Sequence, residues 1–285
     1  MRLLTYLTDD GPRLGVLRGE AVVPVPGQDM LGLIEAGAAG LAQAGAAGGA
    51  PLPLSALSLL APIPSPRRNI FCVGLNYLAH AQEGADARGV PLKLPERPLF
   101  FTKATLAANG PYGDVPFDDK VSVQIDWEVE LGVIIGRRGL NIPSSEALDY
   151  VFGYTVLNDI SARDLQNNHG GQFFKGKSLD GSCPMGPWIV TRDEVPDPDS
   201  LPVRCRVNGV TKQDSTTAEF IFKIPTIIEW LSKGMTLLPG DIIATGTPHG
   251  VGFARNPPEF LKPGDVVECE VGGLGTIRNT VVAVE

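Results

Sequence analysis

The stretch Asp126-Trp127-Glu128-Val129-Glu130-Leu131-Gly132-Val133-Ile134-Ile135-Gly136 decides how this chain is read. Apolar Ile125, Trp127, Val129, Leu131 and Val133 alternate with Asp126, Glu128 and Glu130. A period of two predicts a strand that buries one face and lines something polar with the other. Glu128 and Glu130 then share a face, with Cα atoms about 6.5–7 Å apart. Carboxylates converging at that spacing repel unless a cation or a proton lies between them. Oxygen ligands suit a hard cation such as Mg²⁺ or Mn²⁺ better than zinc. By itself Glu-x-Glu describes a solvated strand face more often than a metal site, so the rest of the chain must decide.

At 285 residues the chain can bury a substantial core, as one large domain or a domain with a small appendage. Its hydrophobic fraction of 43% is that of a soluble globular protein. Gly (34) and Pro (25) make up about a fifth of it, which predicts many turns and short strands. A formal net charge of −8 and a pI near 5.0 argue against nucleic acid or an anionic membrane as the main partner. A small anionic substrate stays compatible, because a bound metal and a few Lys or Arg can invert the potential in one cleft. Thr8, Asp9 and Asp10 interrupt the amino terminus before a signal-peptide core can form. No run approaches the roughly 18 apolar residues that span a bilayer. Cys72, Cys183, Cys205 and Cys269 form no CxxC pair, so buried, reduced thiols in a cytoplasmic protein are expected.

Residues 1–25 predict two or three short strands, with a turn at Asp9-Asp10-Gly11-Pro12. Asp29 can cap a helix over 30–44 that carries Leu31, Ile34 and Leu41. Gly48-Gly49-Ala50-Pro51 and the Pro-rich run to Pro66 end regular structure there. The division expected is a small α+β domain at 1–60, a linker at 61–68 and the main domain at 69–285. Ile70–Leu75 predicts a short buried strand, and Asn76 a cap for a helix starting at Tyr77. On that helix Tyr77, His80 and Glu83 follow at i, i+3, i+6, so successive pairs share a face. A Glu three residues after a His can fix the imidazole tautomer and raise its basicity, as a general base requires. A surface ion pair has the same spacing. Gly84 to Pro98 has the composition of a mobile loop, where a lid is expected.

A short helix near Ser144–Tyr150 and a strand from Val151 to Leu157 come next. Asp159 stands where that strand gives way to Ser161-Ala162-Arg163-Asp164, a natural position for a third metal carboxylate. Arg163 and Gln166, at helical spacing, suit a substrate carboxylate, Arg by a bidentate fork. Beyond the loop 167–176, Lys177 beside a carboxylate-bound metal would stabilise an enolate oxygen or assist proton transfer; an ordinary surface Lys is the alternative. Leu201–Val207 reads as a strand, Asn208-Gly209 as a type I′ hairpin turn, and 224–233 as a helix. Asp241 to Pro248 with Gly250-Val251-Gly252 reads as a strand entering a Gly/Thr turn. Such a turn offers backbone N–H groups and hydroxyls to an anion, or is a tight hairpin without a ligand.

Five motifs now stand in order. Gly74-Leu75-Asn76-Tyr77 with His80 and Glu83 comes first, then Asp126 to Gly132, then Asn158-Asp159-Ile160-Ser161-Ala162-Arg163-Asp164. Gly176-Lys177-Ser178 and Gly246-Thr247-Pro248 with Gly250-Val251-Gly252 complete the set. Over about 70–285 this resembles the fumarylacetoacetate hydrolase superfamily, and the joint match is specific although each motif is weak. Gly252-Phe253 leading into Pro257-Pro258-Glu259-Phe260-Leu261-Lys262-Pro263-Gly264-Asp265 is most similar to the fumarylacetoacetate hydrolase domain-containing branch.

The resemblance implies an α+β, mainly β fold: a mixed β-roll or β-sandwich catalytic domain at 69–285, in a homodimer. It implies Mg²⁺ or Mn²⁺ held by Glu128, Glu130 and Asp159, and His80 with Glu83 as a water-activating dyad on a segment that orders with ligand. Lys177 matches the family's catalytic lysine and Thr247 its substrate-carboxylate loop. Lys103, Arg163 and Gln166 follow less directly as substrate contacts. Fumarylacetoacetase carries a further Asp ligand seven residues before the catalytic His, and here that position is Val73. The departure implies water in its place and makes fumarylacetoacetate itself a doubtful substrate. His169 and His249 match no role.

The activity first expected is metal-dependent cleavage of a C–C bond in a small β-dicarbonyl 2-keto acid, of the acylpyruvate hydrolase or oxaloacetate decarboxylase type. In hydrolysis His80, oriented by Glu83, deprotonates water that attacks the distal carbonyl, and metal and Lys177 stabilise the departing enolate. Decarboxylation reaches the same enolate without water. An isomerase or tautomerase of a 2-keto (di)acid, such as oxaloacetate or a hydroxymuconate-type compound, needs only the proton transfers. A metal-binding dimer without catalysis is the alternative from another class. Spacing does not choose among them, because all share one site.

Overall fold

A computed structural model of the chain describes residues 1–284. Strands β1 (Arg2–Thr8), β2 (Gly11–Arg18) and β3 (Ala21–Pro24) form an antiparallel meander. Helices α1 (Met30–Ala36) and α2 (Ala38–Ala46) follow, and β4 (Leu52–Pro53) and β5 (Ser58–Leu59) return to β3 and β1. The single helix expected over 30–44 is thus two. Gly37 lies at φ 55° between them, a backbone that glycine adopts without a Cβ clash. Asp29 does cap the first helix, accepting from the Gly32 N–H at 2.7 Å.

The chain then alternates between two large sheets. Strands β6 (Ile70–Gly74), β7 (Leu99–Lys103), β8 (Ala108–Asn109), β9 (Val115–Phe117) and β10 (Ile125–Asp126) precede β11 (Val129–Ile135) and β12 (Val151–Asn158). After them come β13 (Ser161–Ala162), β14 (Cys183–Thr191), β15 (Pro202–Val207), β16 (Val210–Thr216), β17 (Ile242–Ala244), β18 (Val266–Val271) and β19 (Gly275–Ala283). Helices α3 (Leu78–Arg88), α4 (Arg163–Asn168), α5 (Phe174–Lys177) and α6 (Ile224–Ser232) lie in the connections. The larger sheet runs β4-β3-β2-β1-β14-β12-β11-β17-β6-β7, with β5 on β1 and β8 on β14; the smaller runs β16-β15-β18-β19-β9. Apart from both, β10 and β13 pair as a two-stranded ribbon. Parallel pairs at β17–β6, β14–β8 and β19–β9 make the arrangement mixed. The amino-terminal meander joins the larger sheet through β1 and β14, where Arg2 faces Val190.

Side-chain alternation explains the layering. Val129, Leu131, Val133 and Ile135 of β11 meet Val203, Cys205, Val267 and Cys269 of the smaller sheet in one core, as two stacked sheets require. Ile134 and Leu157 point the other way, into a core with Leu3, Ile189 and the Leu33 and Ile34 side chains of α1. Every residue of β11 and β12 is therefore buried, on both faces. This corrects the one-sided strand expected from the Asp/Glu alternation: β11 is a central strand, and its one acid, Glu130, faces a cavity inside the protein. Trp127 and Glu128 fall between β10 and β11, outside either strand. The turn at Asn208-Gly209 has φ of 51° and 77°, the type I′ signature expected there.

Two further expectations need correction. Asn76 caps no helix; Tyr77 precedes the first turn of α3. The buried Asn76 amide instead donates to the Phe222 and Thr245 carbonyls at 3.1 and 2.7 Å, and its oxygen accepts from the Phe222 N–H at 2.8 Å. The segment from Gly84 is helical as far as Arg88, where good helix formers such as Ala85 and Ala87 outweigh one glycine, and Gly89 at φ 64° ends it. Irregular chain begins only there. The short helix expected near Ser144–Tyr150 is present, as a 3₁₀ helix. No helix among the described residues is long and apolar enough to cross a membrane, and the four cysteines are buried free thiols.

Candidate active site

The pairing of β11 with β12 sets Val129 opposite Asn158. That register lets the Asp159 N–H donate to the Glu128 carbonyl at 2.8 Å, while the Asn158 amide oxygen accepts from the Glu128 N–H at 3.0 Å. Three carboxylates from two strand ends are thereby gathered: one oxygen each of Glu128, Glu130 and Asp159 lie within 4.8 Å of one another. All three are at most 4% exposed.

Buried cations surround them. Lys177 Nζ donates to Glu128 Oε2 and to Asp159 Oδ2, each at 2.7 Å. Lys103 Nζ donates to Asp159 Oδ1 at 2.7 Å and to the Ile160 carbonyl at 2.9 Å. Arg163 pairs with Glu128 Oε1 at 2.6 Å and donates from Nε to Asp126 Oδ2 at 2.8 Å. Burial alone would raise the Glu128 pKa, but Lys177 and Arg163 outweigh it and hold the carboxyl well below its usual range. Glu130 differs. It makes no ion pair among the described residues, and its Oε2 accepts from the Gly246 N–H at 2.7 Å. Burial first, then the Asp159 and Glu128 carboxylates, push its pKa well above the ordinary value.

That imbalance fits a hard cation. Counting Asp126, four buried carboxylates face three buried cations, and the uncompensated acid, Glu130, belongs to the triad. Each carboxylate oxygen has two lone pairs, so the bonds to Lys177, Lys103 and Arg163 leave acceptor capacity toward a metal. An all-oxygen donor set suits Mg²⁺ or Mn²⁺. The triad can therefore hold a divalent ion.

Above the triad opens a cavity of about 220 Å³, lined by His80, Arg163, Gln166, Lys177 and Thr247 together with Glu128 and Glu130. Its apolar walls include Val73, Leu75 and the edge-to-face pair Phe101–Phe173, with centroids 5.5 Å apart. His80, on the first turn of α3, presents Nδ1 to Glu83 Oε1 at 2.9 Å. Gly176 sets Lys177: a Cβ there would stand 2.6 Å from the Ala162 carbonyl and the Gln166 Cα, so only glycine lets α5 lie against α4.

The Gly/Thr turn after β17 does serve anions, but they are the protein's own. Gly246 N–H goes to Glu130, Gly250 N–H to Glu83 at 2.8 Å, and Gly252 N–H to Asp126 at 2.7 Å. The Thr247 hydroxyl donates to the Val129 carbonyl at 3.0 Å and accepts from Gln213 Nε2 at 2.8 Å. Gln166 lines the cavity and accepts from Arg163 Nη1 at 2.9 Å. Lys103, expected as a substrate contact, lies behind Asp159, fully buried and absent from the cavity wall. His169 and His249 are exposed and outside it.

Sequence reasoning gave Asp126 and Gln213 no part in the site. Asp126 accepts from Arg163, from the Gly252 and Phe253 N–H groups and from the Trp127 N–H, so it ties Arg163 to the turn that carries Phe253. Its position before Trp127-Glu128 was the available signal, since a third acid in an otherwise buried stretch requires a partner.

The family model described as the fumarylacetoacetate (FAA) hydrolase C-terminal domain matches residues 69–282. Over 230 residues the chain is 49% identical to the oxaloacetate tautomerase YisK of Bacillus subtilis, a match that covers 80% of this chain and 74% of that one. It is 42% identical over 271 residues to the mitochondrial oxaloacetate tautomerase Fahd2a of Rattus norvegicus, covering 94% and 84%. Among solved structures, a fumarylacetoacetate hydrolase from Exiguobacterium antarcticum aligns over the whole of both chains with a TM-score of 0.85 at 37% identity. The chain belongs to the fumarylacetoacetate hydrolase superfamily, in its fumarylacetoacetate hydrolase domain-containing branch.

Proposed function

We propose that this chain is a divalent-metal-dependent tautomerase of a small 2-keto acid, with an oxaloacetate-like diacid as substrate. Cleavage of a C–C bond, the first expectation from the motifs, gives way to this alternative because the relatives YisK and Fahd2a are oxaloacetate tautomerases. One observation carries the chemistry: a carboxylate-oriented imidazole, an ammonium group and two acids of the triad, Glu128 and Glu130, line a single small cavity, with Asp159 buried beside them.

Glu128, Glu130 and Asp159 would hold the ion. When bound, Mg²⁺ or Mn²⁺ draws electron density from the 2-keto carbonyl and so acidifies the neighbouring C–H. Glu83, which also accepts from the Gly250 N–H, takes a hydrogen bond from His80 Nδ1–H. The imidazole lone pair is then on Nε2, where it can remove a proton from C3. Burial works against the charge on Lys177, but Asp159 and Glu128 hold it on, so its ammonium group can donate to the oxygen that gains negative charge. The proton lost from C3 reappears on the carbonyl oxygen. No carbon–carbon bond breaks and no water is consumed.

The test is the decay of enol-oxaloacetate with Mg²⁺ or Mn²⁺ present, with pyruvate and CO₂ measured beside it. Enol decay above the metal-only rate without pyruvate supports the tautomerase. Pyruvate and CO₂ released with the enol rate unchanged would overturn it in favour of decarboxylation. Hydrolysis of an acylpyruvate is the second reading, supported by the same dyad, since an Nε2 that deprotonates carbon can deprotonate water. Pyruvate together with a carboxylic acid from an acylpyruvate would favour it.

A further inference from the structure

Two arginines line the cavity, and only one of them is neutralised. Arg163 is at most 4% exposed and is spent on Asp126 and Glu128. Arg88, at the last turn of α3, is an exposed member of the lining and so sits at the rim. Its guanidinium donates to the Gly84 carbonyl of its own helix at 3.2 Å, and no carboxylate pairs with it among the described residues. Both guanidinium groups lie over one ring, Phe253, at 4.6 Å for Arg163 and 5.2 Å for Arg88. Gly84 keeps that space clear: a Cβ there would stand 3.3 Å from Arg88 Nη1 and 3.7 Å from Phe253. Burial and then the like charge of Arg163 pull the Arg88 pKa below its ordinary value.

The rest of the wall offers a second carboxylate no free lysine or arginine. Val73, Leu75, Phe101 and Phe173 are apolar, Gln166, Asn167 and Thr247 are neutral amides and a hydroxyl, His80 faces Glu83, and Lys177 is already shared between Glu128 and Asp159. We propose that Arg88 is the specificity residue of the site, binding the distal carboxylate of a 2-keto diacid whose keto-acid end lies over Glu128, Glu130 and Asp159. The inference rests on the keto-acid reading above and adds the group that separates diacids from monoacids. A guanidinium suits this task because its planar fork matches a carboxylate at two points. Stacking on Phe253 holds the fork in place at little entropic cost.

The test is binding, so that it is independent of turnover. The Mg²⁺-loaded full chain is titrated with 2-ketoglutarate and with 2-ketovalerate, a diacid and a monoacid of equal carbon count. The wild type is expected to prefer the diacid by about tenfold or more, the range of one charge-assisted hydrogen-bonded pair. Arg88→Gln should lose most of that preference and Arg88→Lys should keep part of it. The proposal is overturned if the wild type shows no preference or fails to bind the diacid. It is equally overturned if Arg88→Gln retains the full ratio, or weakens both ligands alike. Enol decay is read in a separate assay, so failure of the tautomerase reading shows there with the binding ratio intact.

Discussion

Gly250 donates its N–H to Glu83 Oε2 at 2.8 Å across 167 residues of sequence, while Glu83 Oε1 holds His80 at 2.9 Å. The candidate base is thus fixed from two sides, by its own helix and by the turn after β17. Gly250 is at φ 99°, and a Cβ there would run into the Lys212 carbonyl, so the turn needs glycine to reach Glu83.

Glu83→Gln should therefore lower the rate of enol decay by about a hundredfold, within the span general-base catalysis covers. An amide can donate to Nδ1 as readily as accept from it, which moves the imidazole proton to Nε2 and removes the lone pair from the cavity. Metal content should be unchanged, because Glu83 lies outside the triad. Rates within about twofold of wild type would show that the dyad has no part in the reaction.

Glu130 yields a pH dependence. In the metal-free protein its folded pKa is raised, by burial and then by the Asp159 and Glu128 carboxylates. The folded state therefore holds a proton that the unfolded chain releases near pH 4.3. Stability from this group is complete below that value and is lost as pH rises toward the folded pKa. Metal-free wild type should lose thermal stability relative to metal-free Glu130→Gln as pH is raised from about 4 upward. Mn²⁺ should restore the wild type alone. A gap between the two proteins that stays constant with pH would contradict the charge imbalance at the triad.

The legible parts of this chain were those in which neighbours in sequence do the work. The alternation around Glu128 and Glu130, the Asp159 that ends β12, the His80–Glu83 spacing and the Asn208-Gly209 turn each carry a local signature. Asn76 looked like a helix cap because caps are local, yet its partners Phe222 and Thr245 lie 146 and 169 residues away. Lys103 is expected as a substrate contact only through the family resemblance, and nothing near it in sequence shows that Asp159 covers its amine. The anions met by Gly246, Gly250 and Gly252 were equally hidden: a turn advertises its N–H groups, while the sheet order decides what faces them. Arg88 carried no signal, since its meaning comes from sharing the Phe253 ring with an arginine that is already paired.

Gly176 links local pattern to site geometry. Ala at this position would press against the Ala162 carbonyl and the Gln166 backbone, which forces α5 away from α4 and carries Lys177 with it. A shift of about 1 Å at a reacting group can cost about a hundredfold in rate. Gly176→Ala should show that loss in kcat, together with a lowered Tm, while the Mn²⁺ affinity of the triad falls less. Unchanged kcat would mean that the α4–α5 contact does not control Lys177.

Lys177 itself should separate two effects that most substitutions at an active site confound. Its ammonium group bonds two of the three carboxylates, so it competes by charge with any cation they bind. Unit charges 4 Å apart at an effective dielectric of 20 interact by roughly 4 kcal/mol, and a third of that is about tenfold in affinity. Lys177→Met keeps much of the side-chain volume and removes the charge. It should bind Mn²⁺ at least about tenfold more tightly, yet turn over the enol at least about a hundredfold more slowly for want of a donor to the developing oxyanion. Calorimetric Mn²⁺ titration and enol-decay kinetics on the same preparation read both. If affinity and rate fall together, Lys177 acts by holding Glu128 and Asp159 in position, and its role as hydrogen-bond donor to the substrate oxygen is wrong.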